Sequence, residues 1–412
     1  MEQPGLTALH KLFAWEHNRL AELIHDELYP RFSVDEPDTT DLNRIFDEAR
    51  LVVEATMRKI TYEDWLPALS GRKLKQNDVD YINLNVSPNI MTIFSGAFFR
   101  VGHTMVNNEF WRFDTGNGNV NRNGGGGGRQ DDDAKVMMDA KAVMVNEDHE
   151  NVARLNKDLM DHGHRILTVG AVLTTMNIDP ILAGLVYQPN QAIDTLVVPA
   201  LRSHLFEFNL ALVDGTHTTA FDLVARNIQR GRDLGIDSYV DVRTGLLGSF
   251  VNAVTSWEDI TQNGHTIQKL KNLYGETGWG KLDLYVGMLL ERHEQGSSLG
   301  RTLRAGIELQ FSILQQGDCL WYTKTLRTCG AGIPLFDEKL AILTGSRTLA
   351  GVLRDNTGLD VAPNYNDFQT RHSQGAQSSL HHKACLPAIC MILRNLHSCS
   401  CSPTSQLRHC LE

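Results

Sequence analysis

Apolar residues recur at helical spacing along much of the chain. In the first segment, which follows Pro4, they are Leu6, Leu9, Phe13 and Leu20. Further helical patterns run over about 42–60, ending before Pro67, and over about 88–107. Alternating apolar and polar positions typical of strands are scarce. The pattern predicts a mainly α fold with irregular connections and little β structure.

The helical periodicity stops in two places. Residues 116–133 hold several asparagines, five consecutive glycines and three aspartates, with no Lys-Ser/Thr pair after the glycines, so a flexible surface insertion is favoured over a phosphate-binding loop. Helices are predicted to start again near Asp179 and Asp194. Residues 372–412 are rich in Ser, His and Cys. We predict a partial domain over 1–371 and a disordered tail over 372–412.

Charge and hydropathy exclude several kinds of partner. The 412 residues include 39 basic and 49 acidic side chains, a net charge of −10, without a basic stripe, which argues against nucleic acid. There is no apolar run of about 18 residues and no export signal at Met1–Pro4, so neither a membrane span nor a signal peptide is expected. Small-molecule partners are favoured.

Cysteine usage does not define a compartment. Five of the seven cysteines lie in 372–412, and the odd total leaves at least one thiol unpaired or bonded elsewhere. The histidines near them could suggest zinc, but the spacing lacks paired Cys-x-x-Cys knuckles. A disordered or altered extension is the favoured interpretation of this tail.

The most informative motif is Phe99–His103, which reads Phe-Arg-Val-Gly-His. A histidine can bind haem iron through one ring nitrogen while the other is hydrogen-bonded, and Arg100 could bind a haem propionate. Gly102 would let a flat macrocycle come close. A histidine packed in the core is the alternative for this motif taken alone, so the choice depends on the rest of the chain.

Several ordered blocks decide in favour of haem. They are Leu6–His10 with Glu16–Ala21, Ile60–Pro67, Phe99–Thr104 and Asn227–Asp233, with further agreement at Gly317–Tyr322 and Arg354–Gly358. In this order and spacing, the chain resembles the animal-type haem peroxidases over about residues 1–371. The resemblance implies their helical fold. The polar residues of Glu16–Ala21 are expected to join helices rather than to act in catalysis.

The resemblance also implies roles for individual residues. His103 would be the proximal iron ligand, and Asn227 would accept a hydrogen bond from its other ring nitrogen. Arg100 and Arg230 would bind the haem propionates, although a solvated helix face is the alternative for Arg230 and Arg232. Glu2 aligns with a glutamate that can form an ester to haem b, and a free terminal glutamate is the alternative there.

By the same resemblance, the function is that of a secreted haem peroxidase, which reduces hydrogen peroxide while oxidising a small donor or halide and serves the response to oxidative stress. The family's distal histidine and arginine and its main calcium site align upstream of Glu2. We therefore expect no distal catalytic residue in this chain and weak turnover. Alternatives are a non-catalytic haem-binding or interaction protein, an incomplete gene model, and a haem fatty-acid dioxygenase, which the form of Phe99–His103 disfavours.

Overall fold

Most of the described chain is helical, which confirms the predicted fold class. The computed structural model describes residues 4–30, 39–74, 85–107, 109–113, 135–139, 178–203, 205–212, 215–318, 321–322, 343–345 and 347–359. Glu2, the insertion at 116–133 and the tail at 372–412 lie outside these residues. The predicted domain boundary at 371 therefore stays a prediction.

Helices of varied length make up the described part. The α-helices, α1 to α12 in chain order, span Pro4–Leu28, Thr39–Lys59, Leu66–Ser70, Thr92–Gly96, Asp179–Tyr187, Pro199–Arg202, Leu223–Asp233, Tyr239–Leu247, Gly264–Tyr274, Leu284–Leu290, Arg301–Gly317 and Leu349–Asn356. Shorter 3-10 segments lie at Phe98–Thr104, Gly248–Phe250, Trp257–Asp259 and Gly278–Lys281. Within the described ranges, no helix has both the length and the apolar character of a membrane span.

The β structure consists of two antiparallel hairpins in the described chain. Strand β1 (Glu109–Phe113) pairs with β2 (Lys135–Asp139), and β3 (Leu205–Leu212) pairs with β4 (Gly215–Phe221). Each is a two-stranded sheet that stands apart from the other. Little β structure was predicted, and the described residues agree with that prediction.

Three details of the predicted helices are wrong. The second helix does not end before Pro67: α2 passes through a π-helical turn at Ile60–Trp65 directly into α3, where Pro67 occupies the first turn and no amide hydrogen is needed. Asp179 is the first residue of α5 and not its cap. Asp194 starts no helix, because its carboxylate accepts a hydrogen bond from Leu196 N, 2.6 Å away, in a turn.

The predicted helix over 88–107 is divided in the structure. Helix α4 ends at Gly96, and a 3-10 segment begins at Phe98. Between them Ala97 has φ −133° and ψ −67°, outside the helical region, so the α-helical path cannot continue. The consequence is local: the segment that bears His103 has three residues per turn.

Aromatic side chains form much of the core beneath this segment. Phe94 and Phe99 stack with ring centroids 4.7 Å apart, and Trp65 meets Phe99 edge-on at 6.3 Å. Phe311 of α11 completes the cluster, 6.0 Å from Phe94. Aromatic pairs of this kind each contribute about 0.5–1.5 kcal/mol beyond their buried area. They fix the π-helical turn Ile60–Trp65, α4 and α11 around the start of the 3-10 segment.

The motif at Glu16–Ala21 joins the two ends of the described chain. Glu16 is fully buried in α1 and accepts hydrogen bonds from Arg19 Nε at 2.8 Å and from Asn356 Nδ2 of α12 at 2.7 Å. Arg347 Nη2 lies 2.6 Å from the same carboxylate. His17 reaches α2, with Nε2 3.1 Å from the carbonyl oxygen of Phe46. The structure confirms that these polar residues hold helices together.

Removing the Glu16 carboxylate should therefore destabilise the whole fold. In Glu16→Ala, Arg347 would lose its buried partner, and we expect the free energy of unfolding to fall by about 3–5 kcal/mol. The measurement is urea unfolding followed by circular dichroism. Glu22→Ala, at an exposed position of the same helix, should change it by less than about 0.5 kcal/mol. Equal losses in the two variants would contradict this account of Glu16.

Candidate haem site

The 3-10 geometry of Phe98–Thr104 separates its residues into faces. With three residues per turn, positions i and i+3 are eclipsed, so Phe98, Val101 and Thr104 share one face and are buried. Arg100 and His103 share another face, and both are only partly buried. The local backbone thus brings the arginine and the histidine of the motif to the same side, toward solvent.

Close packing holds this segment in place. Phe98 lies against Gly306 of α11, where an added Cβ would be 2.6 Å from Cζ of the phenyl ring. Arg100 Nε donates a hydrogen bond to the carbonyl oxygen of Ser95, 2.9 Å away. A side chain at position 306 would displace Phe98 and with it the face that bears His103.

Helix α7 supplies the second half of the site. It begins at a well-formed cap, because the carboxylate of Asp222 accepts hydrogen bonds from Val224 N at 2.9 Å and Ala225 N at 3.0 Å. One turn further along, Asn227 is 2% exposed. A buried amide requires polar partners, and the first of these is His103.

The two predicted residues His103 and Asn227 do meet. The Asn227 side-chain nitrogen lies 2.8 Å from Nδ1 of His103, across 124 residues of sequence. With Nδ2 as donor, the imidazole proton is on Nε2. Iron binding through Nε2 requires the proton on Nδ1, so Asn227 must then turn its amide by half a rotation and present Oδ1. By turning its amide, Asn227 can form a hydrogen bond with either tautomer of the His103 ring.

The predicted propionate partners lie on the same two elements. Arg100 shares the His103 face of the 3-10 segment, and Arg230 is exposed on α7, three residues after Asn227. Among the hydrogen bonds and ion pairs of the described residues, none joins Arg230 to His103 or to Asn227. Glu2 lies outside the described residues, so its predicted ester link remains a prediction.

Arg232 is more than half exposed, but it is held in an ion pair. Its Nε and Nη2 lie 2.9 and 2.8 Å from the two oxygens of Asp283, the residue that precedes α10. Tyr274 donates to the same carboxylate at 2.6 Å. Burial disfavours the Asp283 charge, but these two hydrogen bonds prevail and lower its pKa. The arrangement ties α7 to α10.

Tyr285 is a site residue that the sequence did not reveal. It lies two residues after Asp283 on α10, which packs against both α7 and the 3-10 segment. Burial raises the pKa of Tyr285 to about 12, while the Asn227 side chain and the charge of Arg100 act in the opposite direction. In the sequence it stands in a largely apolar run, Leu284–Leu290, that indicates only core packing.

No preformed cage for a metal ion accompanies the site. Within the described ranges, no cluster of three or more His, Cys, Asp or Glu residues could hold a metal ion. A cleft of about 250 Å³ lies between Arg243 and Arg301, lined also by Phe250 and Asp259, and none of the predicted haem residues contributes to it. Among the described residues, the candidate iron ligand is therefore one side chain, His103.

A helical domain with a histidine held through one ring nitrogen by a buried amide is typical of proteins that bind haem iron through a proximal histidine. A family model described as animal haem peroxidase matches residues 1–365. The chain belongs to the animal haem peroxidase family. The family takes its name from haem, the group that a proximal histidine binds.

Curated relatives agree with this family. The human protein named Peroxidasin homolog is 31% identical over 330 residues, covering 78% of this chain and 18% of that protein. Human Eosinophil peroxidase is 27% identical over 363 residues, covering 87% of this chain and 42% of that protein. Heme peroxidase 2 of Caenorhabditis elegans is 27% identical over 390 residues, covering 92% and 46%. The chain spans less than half the length of each.

Solved structures support the fold. Peroxidase A from Dictyostelium discoideum superposes with a TM-score of 0.62 at 24% identity, covering 93% of this chain and 58% of that one. A fatty acid alpha-dioxygenase from Oryza sativa gives 0.58 at 18% identity, covering 84% and 53%. At such identities the likeness concerns the fold alone, which both kinds of enzyme share.

The lowered pKa of Asp283 has a consequence for stability. Its stabilising contribution is complete above the unfolded-state pKa of about 3.9 and disappears as the pH falls through the lower folded-state pKa. We expect Asp283→Asn to lower the free energy of unfolding by about 1–2 kcal/mol at pH 7. The difference from wild type should shrink below about pH 4.

Denaturant unfolding of both proteins between pH 3 and pH 7 measures this difference. Asp237→Asn, at an exposed position beyond the end of α7, is the matched control and should show little change at any pH. A difference for Asp283→Asn that grows toward low pH would contradict the ion-pair explanation.

Proposed function

We propose that the chain is the proximal part of a haem-dependent peroxidase, which reduces hydrogen peroxide while oxidising a small donor or halide. The observation that carries this proposal is the His103–Asn227 contact of 2.8 Å. With Oδ1 turned toward Nδ1, a buried amide orients the imidazole as a proximal haem ligand requires. The guanidinium of Arg100 lies on the same face as His103, which fits a role in binding a haem propionate.

In this proposal His103 binds iron through Nε2, and Asn227 accepts the hydrogen bond from Nδ1. That hydrogen bond keeps the proton away from the ligating nitrogen and makes the ligand more basic. Arg100 and Arg230 bind the propionates, which a planar guanidinium can do through paired hydrogen bonds. Glu2 is the proposed position for an ester link to haem b.

When bound, haem supplies the redox chemistry that peroxide reduction requires. The reaction also requires a group opposite His103 that moves a proton between the peroxide oxygens. In the family this is a distal histidine with an arginine, to which no residue of this chain is assigned. We therefore propose haem binding with weak turnover. A calcium ion in the full domain, an extracellular location and a role under oxidative stress are proposals from the family.

Two other functions stay open as proposals. A non-catalytic haem-binding or interaction protein would use the same proximal residues, and it is favoured if haem binds without peroxide reduction. A fatty-acid dioxygenase is supported by the shared fold alone. Oxygen uptake with a long-chain fatty acid as the substrate would distinguish it from a peroxidase.

Haem titration tests the assignment of His103. We expect the wild type to bind hemin with a Soret band and visible bands typical of histidine-ligated iron, and His103→Ala to lose that spectrum because the ligand is gone. His265→Ala, at an exposed position of α9, should bind haem like the wild type. A spectrum of histidine-ligated haem that persists in His103→Ala would overturn the assignment.

Turnover distinguishes the binding function from the catalytic one. We expect the haem-loaded chain to oxidise guaiacol with hydrogen peroxide at least about 100-fold more slowly than a full-length family peroxidase, the factor that a missing acid–base group typically removes. Stopped-flow absorbance measures the rate, and free hemin is the background. A rate equal to that of the full-length enzyme would show that another residue of this chain moves the proton.

A further inference from the structure

Arg226 is an exposed arginine on α7 whose side chain forms no hydrogen bond or ion pair with the described residues. Its contact is with Phe221, the last residue of β4. The central carbon of the guanidinium, Cζ, lies 4.0 Å from the centre of the phenyl ring. This cation–π contact holds the guanidinium in place but supplies no oxygen acceptor for its N–H donors. The donors of Arg226 are therefore positioned and still able to bind an anion.

Arg226 and Arg230 share one side of α7. An α-helix turns about 100° per residue, so Arg226 lies about 100° from Asn227 and Arg230 about 60° from it, in the same direction. Residues four apart on a helix are neighbours. The other direction from Asn227 holds Arg232, which is committed to its ion pair. Arg226 and Arg230 are therefore two adjacent guanidiniums beside the amide that contacts His103.

The carboxylates of the same segment are committed to other partners. Asp222, four residues before Arg226, accepts hydrogen bonds from two backbone amides at the start of α7. Asp233, three residues after Arg230, accepts a hydrogen bond from Gln229 at 2.7 Å. Among the described residues, neither carboxylate forms an ion pair with the two arginines. Like charges four residues apart on a helix repel, so an anion that bound both guanidiniums would relieve this repulsion.

We propose that Arg226 is a third arginine that binds the haem propionates, beside Arg100 and Arg230. The inference rests on the proposed function, which assigns haem to His103. Haem carries its two propionates on one edge, and each carboxylate offers about four acceptor sites, so two propionates can accept from three guanidiniums. Because Phe221 already holds the Arg226 side chain, less side-chain freedom is lost when the propionate binds.

A purely structural role is the alternative for Arg226. Its contact with Phe221 would then serve only to attach β4 to α7. An exposed cation–π contact stabilises a protein weakly, and the helix dipole disfavours a cation near the start of a helix. We therefore expect Arg226→Gln to fold like the wild type, with an unchanged circular dichroism spectrum and denaturant midpoint. The variant can then be used to test haem binding.

The first experiment measures hemin affinity of the full chain by titration of the Soret band. We expect Arg226→Gln to bind hemin about five-fold more weakly than the wild type, the upper range for an exposed ion pair, and to keep the spectrum of histidine-ligated iron. The matched control is Arg50→Gln, which removes the same charge from an exposed position of α2 and should bind hemin like the wild type. Equal affinity of Arg226→Gln and the wild type, or an equal loss in both variants, would overturn the proposal.

Hemin dimethyl ester separates propionate binding from every other effect of the substitution. In this probe both carboxylates are methyl esters, which carry no charge and cannot form the paired hydrogen bonds of a carboxylate with a guanidinium. We expect the wild type and Arg226→Gln to bind the ester with affinities that agree within about two-fold. A five-fold difference that persists with the ester would mean that Arg226 acts through the fold or the porphyrin ring, and the proposal would be wrong.

A conservative variant tests whether the charge of Arg226 is what the propionate meets. Arg226→Lys keeps a positive charge but loses the planar fork of donors. Its affinity for hemin should lie between those of the wild type and Arg226→Gln. The difference between Arg226→Gln and the wild type should also shrink as the salt concentration rises, because ions screen an exposed pair. An Arg226→Lys variant that binds hemin no better than Arg226→Gln would contradict the proposal.

The same titrations distinguish a failure of this inference from a failure of the proposed function. If the wild type shows histidine-ligated haem and Arg226→Gln binds hemin equally well, the role of Arg226 fails and the assignment of His103 stands. If the wild type binds no haem through His103, as judged by comparison with His103→Ala, the proposed function fails and the role of Arg226 fails with it.

Discussion

The site depends on a single contact between two segments that are far apart in sequence. His103 and Asn227 meet at 2.8 Å across 124 residues, so the 3-10 segment and helix α7 must both be held to within a fraction of an ångström. Phe98 packed on Gly306 fixes the first, and the Arg232–Asp283 pair fixes the second.

The Arg-Gly-Arg-Asp run of α7 shows how neighbouring charges divide between structure and binding. Arg232 is committed to Asp283 through two hydrogen bonds, whereas Arg230 is exposed on the same helix as the buried Asn227. Identical side chains two residues apart face different directions on a helix. Arg232 therefore holds α7 to α10, whereas the propionate role of Arg230 stays a prediction.

Sequence reasoning reached the fold class and the His103–Asn227 pair, but by different routes. Periodicity located the long helices α1 and α2, because their apolar positions repeat over many turns. The pairing of His103 with Asn227 came from the family resemblance, since no local pattern connects residues so far apart. The 3-10 path was missed because Phe98 and Val101, three apart, suit either kind of helix. Tyr285 was missed because a tyrosine in an apolar run gives no sign of a polar partner.

An amide at the position of Asn227 affects the His103 ring differently from a carboxylate. A carboxylate offers only acceptors, so it would fix the imidazole proton on Nδ1 whatever surrounds it. An amide can donate or accept, so the proton position depends on what the far side of the amide meets. The orientation of the Asn227 amide therefore decides which nitrogen of the His103 ring carries the proton, and the packing that holds α7 takes part in that choice.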